Sequence, residues 1–439
     1  MWNYAVHGAV WLVLYLLFIL APLFAMLAGT LPPARDAWTE FAVALGYSGL
    51  AMMGLQFGLT ARFRFVTRPW GEDVIYHFHR QISLIAVAFV FAHPLIIFAA
   101  QPELLARPED GSVPIGALAA VASIGALALL VVTALWRVRL KIGYELWHAS
   151  HIVLALVAVG GGIVHMVGWS FYLEDPRKRA LWIGLVLFWV LLLLYVRVFK
   201  PLFMLRRPYR IAAVQRERGD TTTLVMEPEG HAGFVFTPGQ FGWLTLWRSP
   251  FRITGHPFSF SSSAEATGGR VAMTIRNLGD FTAQVHTAQV GQRVWLDGPY
   301  GAFTIGQPAD MHVLIAGGIG ITPMMSMLRT LADRGDTRPV MLFYGSKDWD
   351  STTFREELEA LRSRLDLKLV HVLADPPQGW TGERGRIDAG LLERHLPPPY
   401  AQHEYFICGP NPMMDAVETA LGQLGVPMAK YHSERYNFA

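Results

Sequence analysis

Six predominantly apolar stretches of about twenty residues occupy the first half of the chain, at 6–28, 41–59, 75–99, 114–136, 146–167 and 180–198. A helix rises about 1.5 Å per residue, so each is long enough to cross a hydrocarbon layer about 30 Å thick. The pattern predicts six membrane-spanning helices. It changes near Tyr195, and ordinary mixed sequence begins around Arg206. From Tyr209 to about Phe303, short segments rich in Val, Thr, Phe and Trp are punctuated by Gly and Pro, which predicts a small antiparallel β-barrel. Beyond it, strands predicted at 312–316, 340–344, 367–373 and 405–407 alternate with helices that end at Leu331 or cover 353–364 and 412–424. That alternation predicts an open, mostly parallel α/β sheet. The chain is therefore read as multidomain: an all-α six-helix transmembrane bundle over 1–205, an antiparallel β-barrel over 206–305 and an α/β open parallel-sheet domain over 306–439.

Composition agrees with this division, since 52% of the 439 residues are hydrophobic and only 16% charged. The net charge of +3 gives no reason to expect a nucleic-acid partner. Its distribution predicts topology. Basic residues follow the second span (Arg62, Arg64, Arg68), the fourth (Arg137, Arg139, Lys141) and the sixth (Arg197, Lys200, Arg206, Arg207), whereas the opposite loops also carry acids such as Asp36, Glu103, Glu109, Asp110, Glu174 and Asp175. The positive-inside rule then places both termini and the soluble half in the cytoplasm. The segment from Trp2 to His7 lacks a basic start, so the first span is read as a retained helix and not a signal peptide. The single cysteine, Cys408, excludes an internal disulfide and any cysteine-ligated iron–sulfur cluster or zinc site within this chain.

Two spans carry histidines at one repeated interval: His79 with His93, and His151 with His165, each fourteen residues apart. Fourteen residues is nearly four helical turns, so each pair shares a helix face and is separated by about 21 Å along the axis. The third and fifth spans both run outward, which sets His79 level with His151 and His93 level with His165. Imidazole is a good iron ligand and an expensive group to leave in hydrocarbon, so the pattern predicts two bis-histidine haems stacked across a bilayer. His77 and His148 are read as spectators or propionate contacts, and Arg80 as a propionate partner or a snorkelling interfacial cation. Gly160, Gly161 and Gly162 lie between the histidines of the fifth span, where a porphyrin or a neighbouring helix could approach.

The soluble half supplies nucleotide chemistry. His256-Pro257-Phe258-Ser259-Phe260-Ser261-Ser262 reads as a strand ending in hydroxyls that can hydrogen-bond a flavin. In Ile275-Arg276-Asn277-Leu278-Gly279-Asp280-Phe281-Thr282, a cation, a glycine and a hydroxyl are spaced to meet a pyrophosphate. Gly317-Gly318-Ile319-Gly320-Ile321-Thr322-Pro323 follows a strand and opens a helix, so backbone can approach a phosphate at the helix N-terminus. Cys408-Gly409-Pro410 lies at the C-terminal edge of a predicted strand.

With these motifs in this order, nearly the whole chain resembles transmembrane flavocytochromes of the NADPH oxidase and ferric reductase family, and its soluble half resembles ferredoxin–NADP reductase. The resemblance implies that His256, Pro257, Phe258 and Ser259, with Arg276, Gly279 and Thr282, hold FAD. It assigns Gly317, Gly318, Gly320, Thr322 and Pro323 to the nicotinamide nucleotide, and sets Cys408, with Gly409 and Pro410, beside the nicotinamide ring. The family's terminal aromatic, stacked on the isoalloxazine, corresponds to Phe438, although Ala439 follows it and Tyr436 competes for the role. Such a tail would gate the hydride step. One departure is the lack of any aromatic residue over 152–164, between the fifth span's histidines.

The function implied is electron transfer from cytoplasmic NAD(P)H through FAD and two b-type haems across a bacterial cytoplasmic membrane. The b type follows from the lack of a cysteine pair for covalent attachment. With both axial positions taken by histidine, the acceptor is expected to be reduced at the haem edge, and dioxygen giving superoxide or a ferric chelate giving ferrous iron both suit that geometry. Ser346 and Lys347 are expected after the second strand of the nucleotide domain, where they favour NADPH, while Asp348 and Asp350 argue for NADH, which is also expected to work. The lipid bilayer is the one macroscopic partner expected; no obligatory protein partner is evident. Two other readings remain open: an electron-carrier module feeding a periplasmic protein or quinone, and a non-haem reductase whose helices only anchor it or transport.

Overall fold

The computed structural model describes residues 4–29, 31–63, 71–105, 112–169, 171–252, 255–306 and 309–435. Arg64, Arg68, Glu109, Asp110, Tyr436, Phe438 and Ala439, which carry some of the expectations above, lie outside the described residues. The chain divides into two units, Met1–Pro69 with Val74–Lys200, and Trp70–Asp73 with Pro201–Ala439.

The first unit is helical: α1 (Tyr4–Leu27), α2 (Ala37–Leu59), α3 (Glu72–Ala100), α4 (Ile115–Trp136), α5 (Tyr144–Trp169) and α6 (Pro176–Leu194). All six are long and apolar enough to cross a membrane, within a few residues of the predicted bounds. α6 continues through a π-turn at Tyr195–Phe199 and a last helical stretch at Lys200–Leu205. Two starts are set by aspartates. Asp36 accepts the N–H groups of Trp38 and Thr39 at 3.0 Å each, and Asp175 accepts that of Arg177 at 2.8 Å with Pro176 at the first helical position. Large apolar side chains such as Val121 stay 72% exposed, an arrangement that suits lipid and not water. The closest helix pair is α4 with α5. Gly161 permits it, because a Cβ there would stand 2.8 Å from the carbonyl oxygen of Ala119. Ser123 adds a hydrogen bond from its hydroxyl to the Ala158 carbonyl at 2.6 Å.

The second unit contains two six-stranded sheets. The first is antiparallel, with β1 (Tyr209–Glu217), β2 (Thr221–Pro228), β3 (Phe241–Thr245), β4 (His256–Ser259), β5 (Val271–Arg276) and β6 (Arg293–Tyr300) in the order β4-β3-β6-β1-β2-β5. A bridge between Phe260 and Met273 joins its two edges, closing the sheet on itself. The second sheet is parallel, with β7 (His312–Gly317), β8 (Val340–Ser346), β9 (Leu367–Leu373), β10 (Glu383–Arg384), β11 (Glu404–Cys408) and β12 (Tyr431–Glu434) in the order β10-β9-β8-β7-β11-β12. Helices α7 (Ile321–Asp333), α8 (Arg355–Leu361), α9 (Ala389–His395) and α10 (Asn411–Gln423) connect its strands. This is the fold class the residue pattern predicts. The pattern missed β10, α9 and β12.

One turn of the barrel tolerates only glycine. Thr237-Pro238-Gly239-Gln240 closes with the Gln240 N–H donating to the Thr237 carbonyl at 3.1 Å, and Gly239 has φ +98°. A Cβ there would also lie 2.1 Å from the carbonyl oxygen of Phe303. Gly239→Ala is expected to destabilise the second unit by about 2 kcal/mol or more. Thermal unfolding of the full chain in detergent checks this, and an unchanged melting temperature would contradict it.

Candidate functional site

Four imidazoles meet in two pairs within the helical unit. The ring centres of His79 on α3 and His151 on α5 are 6.4 Å apart, and those of His93 and His165 on the same two helices are 6.1 Å apart. An imidazole nitrogen bonds a metal at about 2 Å, so two rings sharing one ion would have centres about 6 Å apart. Among the described residues, α3 and α5 do not pack closely along their backbones, and the rings reach across the gap between them.

The outward-turned nitrogens fix the tautomers. Nδ1 of His79 lies 2.7 Å from Gln56 Oε1, Nδ1 of His93 lies 2.8 Å from the Ala42 carbonyl oxygen, and Nδ1 of His165 lies 3.1 Å from that of Gly116. Carbonyl oxygens only accept, so each of these nitrogens donates its proton and Nε2 keeps the lone pair that a metal needs. Nδ1 of His151 is buried without a hydrogen-bond partner. No group of three or more His, Cys, Asp or Glu that could hold a metal occurs among the described residues. Each pair could supply two nitrogens to one iron, and the other positions around it would come from a tetradentate ring such as haem provides. The residues fit that group.

The neighbouring expectations separate. His77 and Arg80 are exposed, while the His148 ring rests against Tyr144 and Trp147 at 5.7 and 6.2 Å. Gly161 backs onto α4 and Gly162 onto Leu50, so helix packing accounts for both, whereas a Cβ at Gly160 would meet nothing within 4 Å. Gln56 was missed by sequence reasoning. The available signal was an amide inside an otherwise apolar span, where a polar group is costly without a partner.

In the second unit, β4 carries His256, Pro257, Phe258 and Ser259. The His256 ring stacks on Phe281 with centres 3.9 Å apart, and Phe258 stacks on the same residue at 6.0 Å. Burial pushes the His256 imidazole down to about 4, so it is neutral near pH 7. The hydroxyls that follow are turned inward. Thr274 donates to Ser261 at 2.8 Å, and the Ala272 N–H donates to Ser262 at 3.0 Å. Thr282 likewise serves its own loop: its hydroxyl accepts the N–H groups of Leu278 and Gly279 at 2.8 and 2.9 Å and donates to the Gly279 carbonyl at 3.1 Å. Arg276 ends β5 and reaches the glycine-rich turn, with Nη1 3.3 Å from where a Cβ on Gly318 would stand.

That turn and the Cys408 segment face each other at the level of main chain. β7 ends at Gly317, the turn covers Gly318–Gly320, and α7 contains buried Thr322 and Pro323. Thr322 donates to the Ile319 carbonyl at 2.9 Å. Opposite, Cys408 ends β11, and Gly409 and Pro410 lead into α10. A Cβ on Gly320 would stand 2.1 Å from the Cys408 carbonyl oxygen, and one on Gly409 would stand 3.0 Å from Gly317 Cα. β7 and β11 are the neighbours at which the strand order changes direction, the place where open α/β sheets bind nucleotides.

The expected position of Ser346 is corrected: β8 runs through it, so it closes the strand and does not follow it. Lys347 is exposed, and its carbonyl accepts the Asp375 N–H at 2.7 Å. Asp348 turns into its own loop, accepting the Ser351 N–H at 2.7 Å, and Asp350 stands exposed 3.6 Å from Arg355.

Fold and motifs together define a bundle of six candidate membrane spans followed in sequence by two sheets, the second of nucleotide-binding topology. Residues 45–162 match the family described as a ferric reductase like transmembrane component, residues 207–304 an FAD-binding domain, and residues 314–419 an oxidoreductase NAD-binding domain. Along the chain these matches run in the order transmembrane component, FAD-binding domain and NAD-binding domain, the arrangement to which this chain is similar. It is 31% identical over 241 residues to a glycine betaine monooxygenase reductase subunit of Pseudomonas aeruginosa, a match covering 53% of this chain and 64% of that protein. It is also 31% identical to NADH-cytochrome b5 reductase 1 of Neosartorya fischeri, covering 42% of this chain and 63% of that protein. The chain thus spans less than two thirds of the length of these curated relatives. The FAD/NAD-binding domain of nitric oxide dioxygenase from Vibrio cholerae superposes with a TM-score of 0.46 at 25% identity, over 52% of this chain and 97% of that one.

Gly320→Ala should force the turn away from Cys408 and weaken nicotinamide-nucleotide binding about tenfold or more. Nucleotide titration of the full chain reads this, and an unaltered affinity would count against the cleft geometry. A pH dependence follows from His256 and His312, both pushed down to about 4, chiefly by burial. Unfolded histidines take up protons near pH 6.5 while these wait until about pH 4, so stability falls as pH drops through that window and levels off below it. The loss is at most about tenfold in the folding constant per pH unit for each group. Denaturant midpoints between pH 7 and pH 4 measure it, and His312→Phe should flatten the slope.

Proposed function

We propose that the chain is a transmembrane NAD(P)H oxidase. It takes electrons from cytoplasmic NAD(P)H and delivers them to dioxygen on the outer face, making superoxide, with FAD and two bis-histidine b-type haems as resident carriers. The observation that carries this reading is the pair of imidazole sites at 6.4 and 6.1 Å, one level above the other on the same two helices. When bound, flavin accepts the two electrons of a hydride and releases them singly, and haem iron carries one at a time.

The chain's own contribution is position. His79 with His151, and His93 with His165, would hold the two haem irons, and the partners of three Nδ1 atoms hold the rings of His79, His93 and His165 in the tautomer that leaves Nε2 free to bind metal. His256, Pro257, Phe258 and Ser259 line the flavin, with Gly279 and Thr282 shaping the adjoining loop. Arg276 directs its guanidinium to the glycine-rich turn, where it would meet a pyrophosphate. Gly317, Gly318, Gly320, Thr322 and Pro323 provide a backbone floor for the nicotinamide nucleotide, and Cys408, Gly409 and Pro410 form its opposite wall. Ser346 and Lys347 favour a 2′-phosphate, so NADPH is the leading donor with NADH accepted as well. Phe438, outside the described residues, is assigned by the family resemblance to the flavin, where it would gate nicotinamide entry. The basic ends of the spans keep the soluble unit and both termini in the cytoplasm of a bacterial inner membrane. The family match over 45–162 favours one second reading, reduction of a ferric chelate at the same outer site.

The test is an anaerobic spectrum of the purified, flavin-loaded protein before and after NADPH, followed by air with and without superoxide dismutase. Haem bands that reduce and then reoxidise in a dismutase-sensitive assay are expected. Reduced haem that persists in air but discharges to a ferric chelate would favour the second reading, and no haem absorbance would overturn both. His93→Ala should abolish acceptor turnover while leaving flavin reduction by NADPH intact. Retained turnover would mean that the helices only anchor the enzyme.

A further inference from the structure

We propose that Gln56 is a positioning residue for the His79–His151 pair, setting the tautomer of His79 and its strength as an axial ligand. The inference rests on the haem reading above and extends it to a residue outside the ligand set.

The amide's orientation is determined by its surroundings. Gln56 Nε2 donates to the Met52 carbonyl at 3.0 Å and to the Tyr15 hydroxyl at 3.3 Å. Because the Met52 carbonyl can only accept, the nitrogen must lie on that side, and Oε1 is left facing His79 Nδ1 at 2.7 Å. Tyr15 is buried and meets the edge of Phe78, the residue before His79, at 5.1 Å. Helices α1, α2 and α3 thus converge on one imidazole. The placement has a counterpart at the other level, since Ala42, whose carbonyl holds His93, precedes Gln56 by the same fourteen residues that separate His79 from His93. Antiparallel α2 therefore supplies an acceptor at each level, a main-chain carbonyl at one and a side-chain amide at the other.

Acceptor strength matters because a hydrogen bond at Nδ1 raises the electron donation of Nε2 to a bound metal. A neutral amide oxygen polarises His79 moderately. A carboxylate in its place would draw the Nδ1 proton further, make the ring a stronger donor, favour ferric over ferrous iron and lower the reduction potential. An apolar side chain would do the reverse and leave the ring free to rotate.

The experiment is a spectroelectrochemical titration of the full-length holoprotein, with haem content and low-temperature electron paramagnetic resonance measured alongside. Wild type is titrated first, and two haems per chain are required before the variants are read; their absence would defeat the haem reading itself. Gln56→Glu is expected to move one of the two reduction waves to lower potential and leave the other in place. Gln56→Leu should move the same wave upward and broaden one of the two low-spin resonance signals. If Gln56→Leu loses haem or fails to fold, Gln56→Glu, which keeps an acceptor and the side-chain volume, decides alone. Both waves and both resonance signals unchanged in Gln56→Glu would overturn the proposal.

Discussion

A histidine ring placed in hydrocarbon must satisfy two nitrogens without water, and the arrangement of the helical unit follows from that requirement. For three of the four rings one nitrogen is answered from within the protein, by Gln56, Ala42 or Gly116. The paired rings stand 6.4 and 6.1 Å apart between centres, across a gap in which α3 and α5 stay apart. These partners dictate where neighbouring elements run. α2 has to pass His93 and His79 at points fourteen residues apart, and α4 has to begin beside His165, because only its first residues have carbonyls near that level. Asp36, capping α2, sets the register from which Ala42 and Gln56 are counted.

The second unit solves a different problem, the approach of a charged nucleotide to protein main chain. Its cleft is made by glycines from two segments packed against each other, and a single Cβ at Gly320 would not fit beside Cys408. Hydroxyls near the cleft mostly hold loops in shape: Thr282 closes its own turn, and Thr322 bonds the carbonyl of Ile319 within the glycine-rich turn. Arg276 joins the barrel to the parallel sheet through its closeness to Gly318. A further tie runs from Arg329 on α7, which donates to the Ser261 carbonyl at 2.5 Å and pairs with Glu357. The two sheets are thereby held in one unit with the motif residues on adjoining edges.

Much of this was legible in the residues because it depends on period and composition. Spans were visible as long apolar runs, and the strands and helices around the glycine-rich turn announced themselves by alternation. β12 was not, because Tyr-His-Ser-Glu has no apolar run; it exists as an edge strand held by Glu404, whose buried carboxylate accepts from Lys430 and His432 at 2.9 Å each. α9 begins at Asp388, whose side chain accepts the Leu391 N–H at 2.8 Å, a cap too short-ranged to stand out among loops. The direction of hydroxyls was equally hidden. Ser261, Ser262 and Thr282 match ligand-binding motifs by type, yet Thr274 and Ala272 on a neighbouring strand engage the first two, and Thr282 closes its own loop. Gln56 was visible as a letter but not as a contact, since its partner lies on another helix.

The acceptors at His93 and His165 are main-chain carbonyls, those of Ala42 and Gly116. No single codon change can delete a carbonyl, so mutation reaches that level only by bending or shifting a helix. At His79 the acceptor is a side chain, and one nucleotide substitution can replace it. The two levels of the bundle therefore differ in evolvability: one is insulated from genetic drift, and the other can be retuned in a single step while the helices that frame it stay as they are.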